Sequence, residues 1–244
     1  MKKLIILIAL CAAIQSEAQQ FIAKGKIEFE RKINNHKQFE GEDDSWVQEL
    51  KKQIPQFGIT YFNFYFNDTA SVYKPGREVD APKNGFFGSA PASENVVYSN
   101  YTNHTTASQK QVFETQYLIQ DSIKNFEWKL TSDTRKIAGF LCRKATTIIN
   151  DSVFIFAYYT DEILCQGGPE GFNGLPGMIL GIAIPRIGYT YFATKLELAE
   201  IPNKEFLPPT KGKKTTAVGM RDKLKESLKD WGKWGERNIW LCNL

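Results

Sequence analysis

Residues 61–73 read Tyr-Phe-Asn-Phe-Tyr-Phe-Asn-Asp-Thr-Ala-Ser-Val-Tyr, and this stretch decides the fold class. Phe62, Phe64 and Phe66 alternate with Tyr61, Asn63 and Tyr65, the period-two pattern of a strand with one apolar face. Asn67-Asp68 is a turn pair, because short polar side chains bond their own backbone, and Thr69–Tyr73 then returns as a second strand. The same period runs outward. Upstream, Ile27, Phe29 and Arg31 share one side of a strand within 21–33, with Lys26, Glu28 and Glu30 on the other. Downstream, strands are expected at about 96–105, 109–120, 125–131, 140–149, 152–160, 177–184 and 188–199, with Asn150-Asp151 as another tight turn. Strands following one another at short spacing predict a mainly β protein, built as a large curved antiparallel sheet or half-open barrel.

Two segments break the period. Ser45-Trp46-Val47-Gln48 has the form of a capping box, and Val47, Leu50 and Ile54 keep helical spacing until Pro55, so a short helix is expected near 45–54. Ala217, Met220, Leu224, Leu228 and Trp231 step by three or four, which predicts a C-terminal amphipathic helix. Pro75, Gly76, Pro82, Gly85, Gly88 and Pro91 mark a long connection that carries Phe86-Phe87.

Composition sets the class. The 244 residues hold 31 Lys+Arg against 27 Asp+Glu and are 42% hydrophobic, an ordinary folded composition whose net charge of +4 is too small to argue for nucleic acid. Lys2 and Lys3, the apolar run Leu4–Ile14 and small residues at Ser16 and Ala18 read as a signal peptide over 1–18, placing the mature chain in an exported compartment. That apolar run is too short to span a bilayer, and no later stretch approaches the needed length. The mature chain is therefore expected as an antiparallel β domain over 19–209 and a basic, Trp-rich helical segment over 210–244. The latter has nine basic residues against four acidic ones. Its helix, with Trp231 and Trp234, either packs its apolar stripe on the sheet or docks on a partner; an ordinary core role is the simpler reading.

Cys142, Cys165 and Cys242 remain after the leader, an odd number for disulfides in an oxidising compartment. Cys142–Cys165 across neighbouring strands is the slightly favoured pair, with Cys142–Cys242 as the alternative. Catalytic patterns are sparse. The two histidines, His36 and His104, stand far apart, with no zinc-binding His-Glu-x-x-His, no Gly-x-Ser-x-Gly and no phosphate loop, so no metal or cofactor is expected. Hydrolysis would need a nucleophile and acid drawn from Cys142, Tyr159, Asp161 and Glu162, or a thiol paired with His104.

Residues 167–180, Gly-Gly-Pro-Glu-Gly-Phe-Asn-Gly-Leu-Pro-Gly-Met-Ile-Leu, form the most unusual run. Pro176 and Gly177 suit the central positions of a type II turn. The run reads first as a rigid bend delivering Met178–Ile184 into the sheet, and second as a recognition loop presenting Gly168, Pro169, Phe172, Gly174, Leu175, Pro176 and Gly177.

The motif Gly174–Leu180 resembles the signature of the GLPGLI family of exported Bacteroidota proteins. The resemblance extends through Trp128, Ile137–Ala145, Tyr159-Thr160 and Gly168-Pro169, strongest over about 125–185. Tyr158, Leu164 and Met178 depart from the usual pattern. The resemblance implies a periplasmic or outer-membrane-associated protein, accessory to a TonB-dependent transporter, and carries over no catalytic residue. The combined expectation is a non-enzymatic envelope protein that binds an apolar ligand or an outer-membrane partner. The alternative is an envelope hydrolase or processing enzyme with a site near Cys142, Asp161 and Glu162.

Overall fold

Phe62, Phe64 and Phe66 are all but fully buried, on the same side as Ile27 and Phe29 of the neighbouring strand. The computed structural model describes residues 21–79, 90–150 and 152–244. The expected leader, Phe86-Phe87 and Asp151 lie outside them. Within them, β1 (Gly25–Asn34), β2 (Phe57–Phe66), β3 (Ala70–Pro75), β4 (Val96–Asn100), β5 (Thr105–Val112) and β6 (Thr115–Ser122) form one meander. A second comprises β7 (Lys129–Ile137), β8 (Phe140–Ile149), β9 (Val153–Thr160), β10 (Met178–Ile184) and β11 (Tyr189–Glu197). With β12 (Lys213–Thr215) they make one 12-stranded sheet, ordered β12-β6-β5-β4-β3-β2-β1-β11-β10-β9-β8-β7. Every pairing is antiparallel except that of β12 with β6.

The two edge strands do not pair with each other, so the sheet stays open. Its register shifts at Glu28/Phe29, between β1 and β11, and at Ile179/Gly181, between β10 and β9, each leaving an extra residue on one strand beside the middle of the sheet. One face is filled: Ile27, Phe64, Tyr73 and Val97 follow one another in register across one half of the sheet, Tyr191, Ile182, Ala157 and Ala145 across the other, and all are buried. The opposite face shows aromatics shielded by cations. Arg77 lies 3.3 Å from the Tyr61 ring centroid and Arg135 4.6 Å from that of Phe192.

The expected hairpin forms at β2–β3. Asn67 Oδ1 accepts from the N–H groups of Thr69 and Ala70 at 2.9 and 2.8 Å, the local bonding that favours Asn at such turns. The strand expected over 109–120 is instead two strands, because Phe113 adopts a φ of +51° and reverses the chain without a glycine. The short helix α1 (Ser45–Gln53) has Asp44 rather than Ser45 at its N-cap position, without a side-chain capping bond, and buries Val47 and Leu50 against Phe39. The single C-terminal helix expected from the apolar stripe is two, α2 (Ala217–Ser227) and α3 (Gly232–Cys242). Gly232, at a φ of +53°, separates them after a 3-10 turn at Lys229–Trp231. Thr216 caps α2 by accepting from the Gly219 N–H at 3.1 Å, and Met220, Leu224 and Leu228 bury against Val112 and Ile119. Among the described residues, no helix is long and apolar enough to cross a membrane.

Candidate functional site

Between β9 and β10 the chain leaves the sheet and folds over its filled face. Ile163, Cys165, Gly167, Gly168, Pro169, Glu170, Phe172, Asn173 and Leu175 are buried there, whereas Gly174 and Pro176 reach the surface. Ile179 N–H donates to the Gly167 carbonyl at 2.8 Å, tying the loop to the start of β10. The turn at its end closes through Gly177 N–H to the Leu175 carbonyl at 2.8 Å. It is thus a three-residue turn about Pro176 rather than the type II turn expected, with Gly177 at the expected positive φ, +136°. The glycines are explained by proximity. A Cβ on Gly177 would collide with the Thr160 carbonyl, one on Gly168 would lie 2.7 Å from Ile179 Cβ, and one on Gly167 would strike the Tyr101 hydroxyl.

The crossover between β6 and β7 completes the filling. Phe126 packs on Phe172, ring centroids 5.1 Å apart, and Trp128 Nε1 donates to the Asn173 carbonyl at 2.8 Å. The signature segment is therefore a plug laid on the filled face of an open sheet. Phe172 and Leu175, expected on a recognition surface, are 2% and 1% exposed and belong to the core.

At the tip of the plug, Glu170 is buried with a φ of +55°, beside a polar centre that sequence reasoning did not assemble. Asn95 Nδ2 donates to Glu170 Oε2 at 2.7 Å. Arg31, buried on the apolar side of β1, donates through Nε to Thr60 Oγ1 at 3.0 Å. Burial alone would lower its pKa, but the surrounding Tyr191, Tyr73, Tyr189 and Glu170 hold it above the ordinary value. Burial and the Glu170 charge push the Tyr73 and Tyr191 phenols well up. Lys110, on β5, donates to the carbonyls of Cys242 and Leu244, and burial pulls its pKa down against the opposing influence of Glu170 and Cys242. Among the described residues, Tyr73 Oη, Asn95 Oδ1 and Glu170 Oε1 have no hydrogen-bond partner. The available signal was Arg31 and Lys110 falling in phase with buried apolar neighbours; nothing in the loop sequence marked Glu170.

The other expected sites are dispersed. Cys142, Cys165 and Cys242 are free and buried, so neither expected disulfide is formed. Cys142 and Cys165 lie in the cluster with Phe29 and Phe64, whereas Cys242 packs beside α2. Burial pushes the Cys142 thiol up to about 12, with the Glu162 charge adding to it. Burial likewise pushes Cys165 to about 11, and its Sγ lies 3.5 Å from Tyr101 Oη rather than being paired with His104. Such thiols are protonated at neutral pH and are poor nucleophiles. Asp161 is engaged by Arg143 Nη2 at 2.8 Å, and Tyr159 is core. Among the described residues, no group of three or more His, Cys, Asp or Glu side chains could hold a metal ion. Trp231, half exposed, tilts against Phe113 with ring centroids 6.0 Å apart, and Trp234 stands edge-on to Phe39 at 5.9 Å.

This architecture has known relatives. Two solved structures of PNGF-II, in the P21 and C2 space groups, superpose with TM-scores of 0.53 and 0.52 at 16% identity. They cover 82% and 90% of this chain but 32% and 33% of their own, so the chain spans about a third of the length of these structures. No curated protein matches the sequence. The model of the family described as "N-glycanase peptide, N-terminal domain" matches residues 89–222, a stretch that includes the second meander, the plug and the polar centre's Asn95, Lys110 and Glu170. That match spans more than half of the sequence, and the chain belongs to the N-glycanase peptide N-terminal domain family.

Proposed function

We propose that the chain is an exported recognition domain for N-glycosylated protein, which holds a glycan or its carrier without cutting it. The observation that carries this reading is the family match over residues 89–222 to a domain that stands N-terminal in an N-glycanase. The geometry favours holding over cutting. The buried thiols are protonated and Glu170 is enclosed in the core, so neither is presented as a nucleophile or general acid. Phe62, Phe64 and Phe66 are core side chains, which directs binding to the outer surface rather than to an apolar hollow in the sheet. We take the GLPGLI resemblance over about 125–185 and the family match as two descriptions of one domain type, since they fall on the same residues.

Hydrolysis is the second reading, and the same match favours it. One experiment separates the two: a high-mannose glycoprotein and its deglycosylated form are passed over the immobilised chain, while glycan release is followed by mass spectrometry. Retention of the glycosylated form alone, without release, is expected. Conversion of the carrying Asn to Asp with loss of the glycan would establish the hydrolase. Equal passage of both forms without release would overturn the glycan reading and favour the outer-membrane transport partner, for which cross-linking in the envelope is the test.

A further inference from the structure

A cleft between the 3-10 turn Asn35–Phe39 and α3 opens at the surface. It encloses about 180 Å³ and is lined by Lys37, Arg186, Trp234, Glu236, Arg237 and Trp240, among others. Drug-sized ligands occupy about 300–1,000 Å³, and a water molecule takes about 30 Å³, so the space suits a single small ring.

Its charges divide unevenly. Lys37 is paired with Glu40 at 2.6 Å, and Lys233 with Glu42 at 2.6 Å. The two arginines bond only to backbone carbonyls: Arg237 Nη2 to Ile187 at 2.8 Å and Arg186 Nη1 to Ser152 at 3.4 Å. Among the described residues neither has a carboxylate partner, while each guanidinium retains further N–H donors. Two arginines against Glu236 leave one positive charge uncompensated, to be matched by one carboxylate in the fork geometry that guanidinium provides. The walls supply the rest. The Arg186 guanidinium lies 4.4 Å from the Trp240 ring centroid and covers that nearly buried indole. Trp234 is 36% exposed, which leaves aromatic surface for the C–H face of a ring, and Gln38 and Glu236 offer polar groups to hydroxyls.

We propose that this cleft binds a carboxylate-bearing sugar ring, with Arg186 and Arg237 holding the carboxylate and Trp234 the ring. The inference rests on the glycan reading and names the part of the glycan that is recognised.

The full chain is titrated with N-acetylneuraminic acid, N-acetylglucosamine and acetate while the Trp234 indole N–H is followed by NMR. Sialylated and desialylated N-glycans are then compared. The acidic sugar is expected to shift the Trp234 signal and to bind at least tenfold more tightly than the neutral sugar or acetate, with affinity falling as salt rises. Arg186→Gln should abolish the preference for acid, and Trp234→Ala should weaken binding of the ring at least tenfold, both with unchanged circular dichroism. Because Trp234 packs on Phe39, the more exposed Arg186 change keeps the test valid if the Trp234 variant misfolds. Glycan binding that ignores both substitutions, or acidic and neutral sugars binding alike, overturns the cleft while leaving the glycan reading standing. A Trp234 shift with the acidic sugar when neither N-glycan binds supports the cleft and overturns the wider reading.

Discussion

The plug at residues 163–177 and the tail at 217–242 both lie on the sheet, yet they carry opposite kinds of information. The plug holds the most distinctive sequence in the chain, and ten of its fifteen residues are buried: Gly167, Gly168 and Gly177 are required by Tyr101, Ile179 and the Thr160 carbonyl pressed against them. The tail has an ordinary amphipathic pattern. It buries Met220, Leu224 and Leu228 and leaves Trp231, Trp234 and several charges at the surface. A conspicuous motif can therefore record a packing demand, whereas surface chemistry is carried by a segment with no motif at all.

Substitutions can break this contrast or sharpen it. Gly177→Ala should be the most damaging, because it combines a clash with the Thr160 carbonyl and a φ of +136°; roughly 4 kcal/mol should be lost in urea denaturation. A loss below about 1 kcal/mol would mean that the plug relaxes freely. Next comes Glu170→Ala, which removes the buried acceptor of Asn95 Nδ2 and a negative charge acting on Arg31 and Lys110, and should lower stability by about 2 kcal/mol. Trp231→Ala, on the half-exposed tail, should change stability by less than about 1 kcal/mol. The smallest effect concerns the thiols. At pH 8 Cys142, Cys165 and Cys242 should be inert to a disulfide reagent until the chain unfolds, and rapid labelling of the native protein would contradict their burial.

Those thiols also give a pH signature. Their folded pKa values lie near 12 for Cys142 and 11 for Cys165 and Cys242, above the ordinary 9.0. The unfolded chain therefore releases these protons first. Their contribution to stability is complete below pH 9 and is lost as pH rises from 9 towards 12. Cys142→Ala should flatten that decline in denaturation midpoints measured across the same range.

Sequence periodicity was informative wherever a strand had one wet face. Ile27, Phe29 and Phe62–Phe66 announced β1 and β2, and Asn67 announced their hairpin partner. It failed where the backbone turned without a usual turn residue, as at Phe113, and where one stripe ran through a break, as at Gly232. The polar centre was half visible. Arg31 lies on the apolar side of β1, but its association with Glu170, far along the chain, depends on the loop folding back over the sheet. No local pattern encodes that return. The cleft was hidden for the same reason: Trp234 was recognisable as an aromatic near the tail, whereas Lys37 and Arg186 come from distant segments.

The placement of β1 has a consequence for how the chain acquires its structure. β1 can zip onto β2 as soon as residue 66 is available, but its other side pairs with β11, which ends at Glu197. Until then a nascent chain presents the open edge of β1, with its row of unpaired amides, at what will become the middle of the sheet. Joining strands so far apart carries a large loop-closure entropy, which makes this seam a slow step and its exposed edge the place where a holdase would act or aggregation would begin.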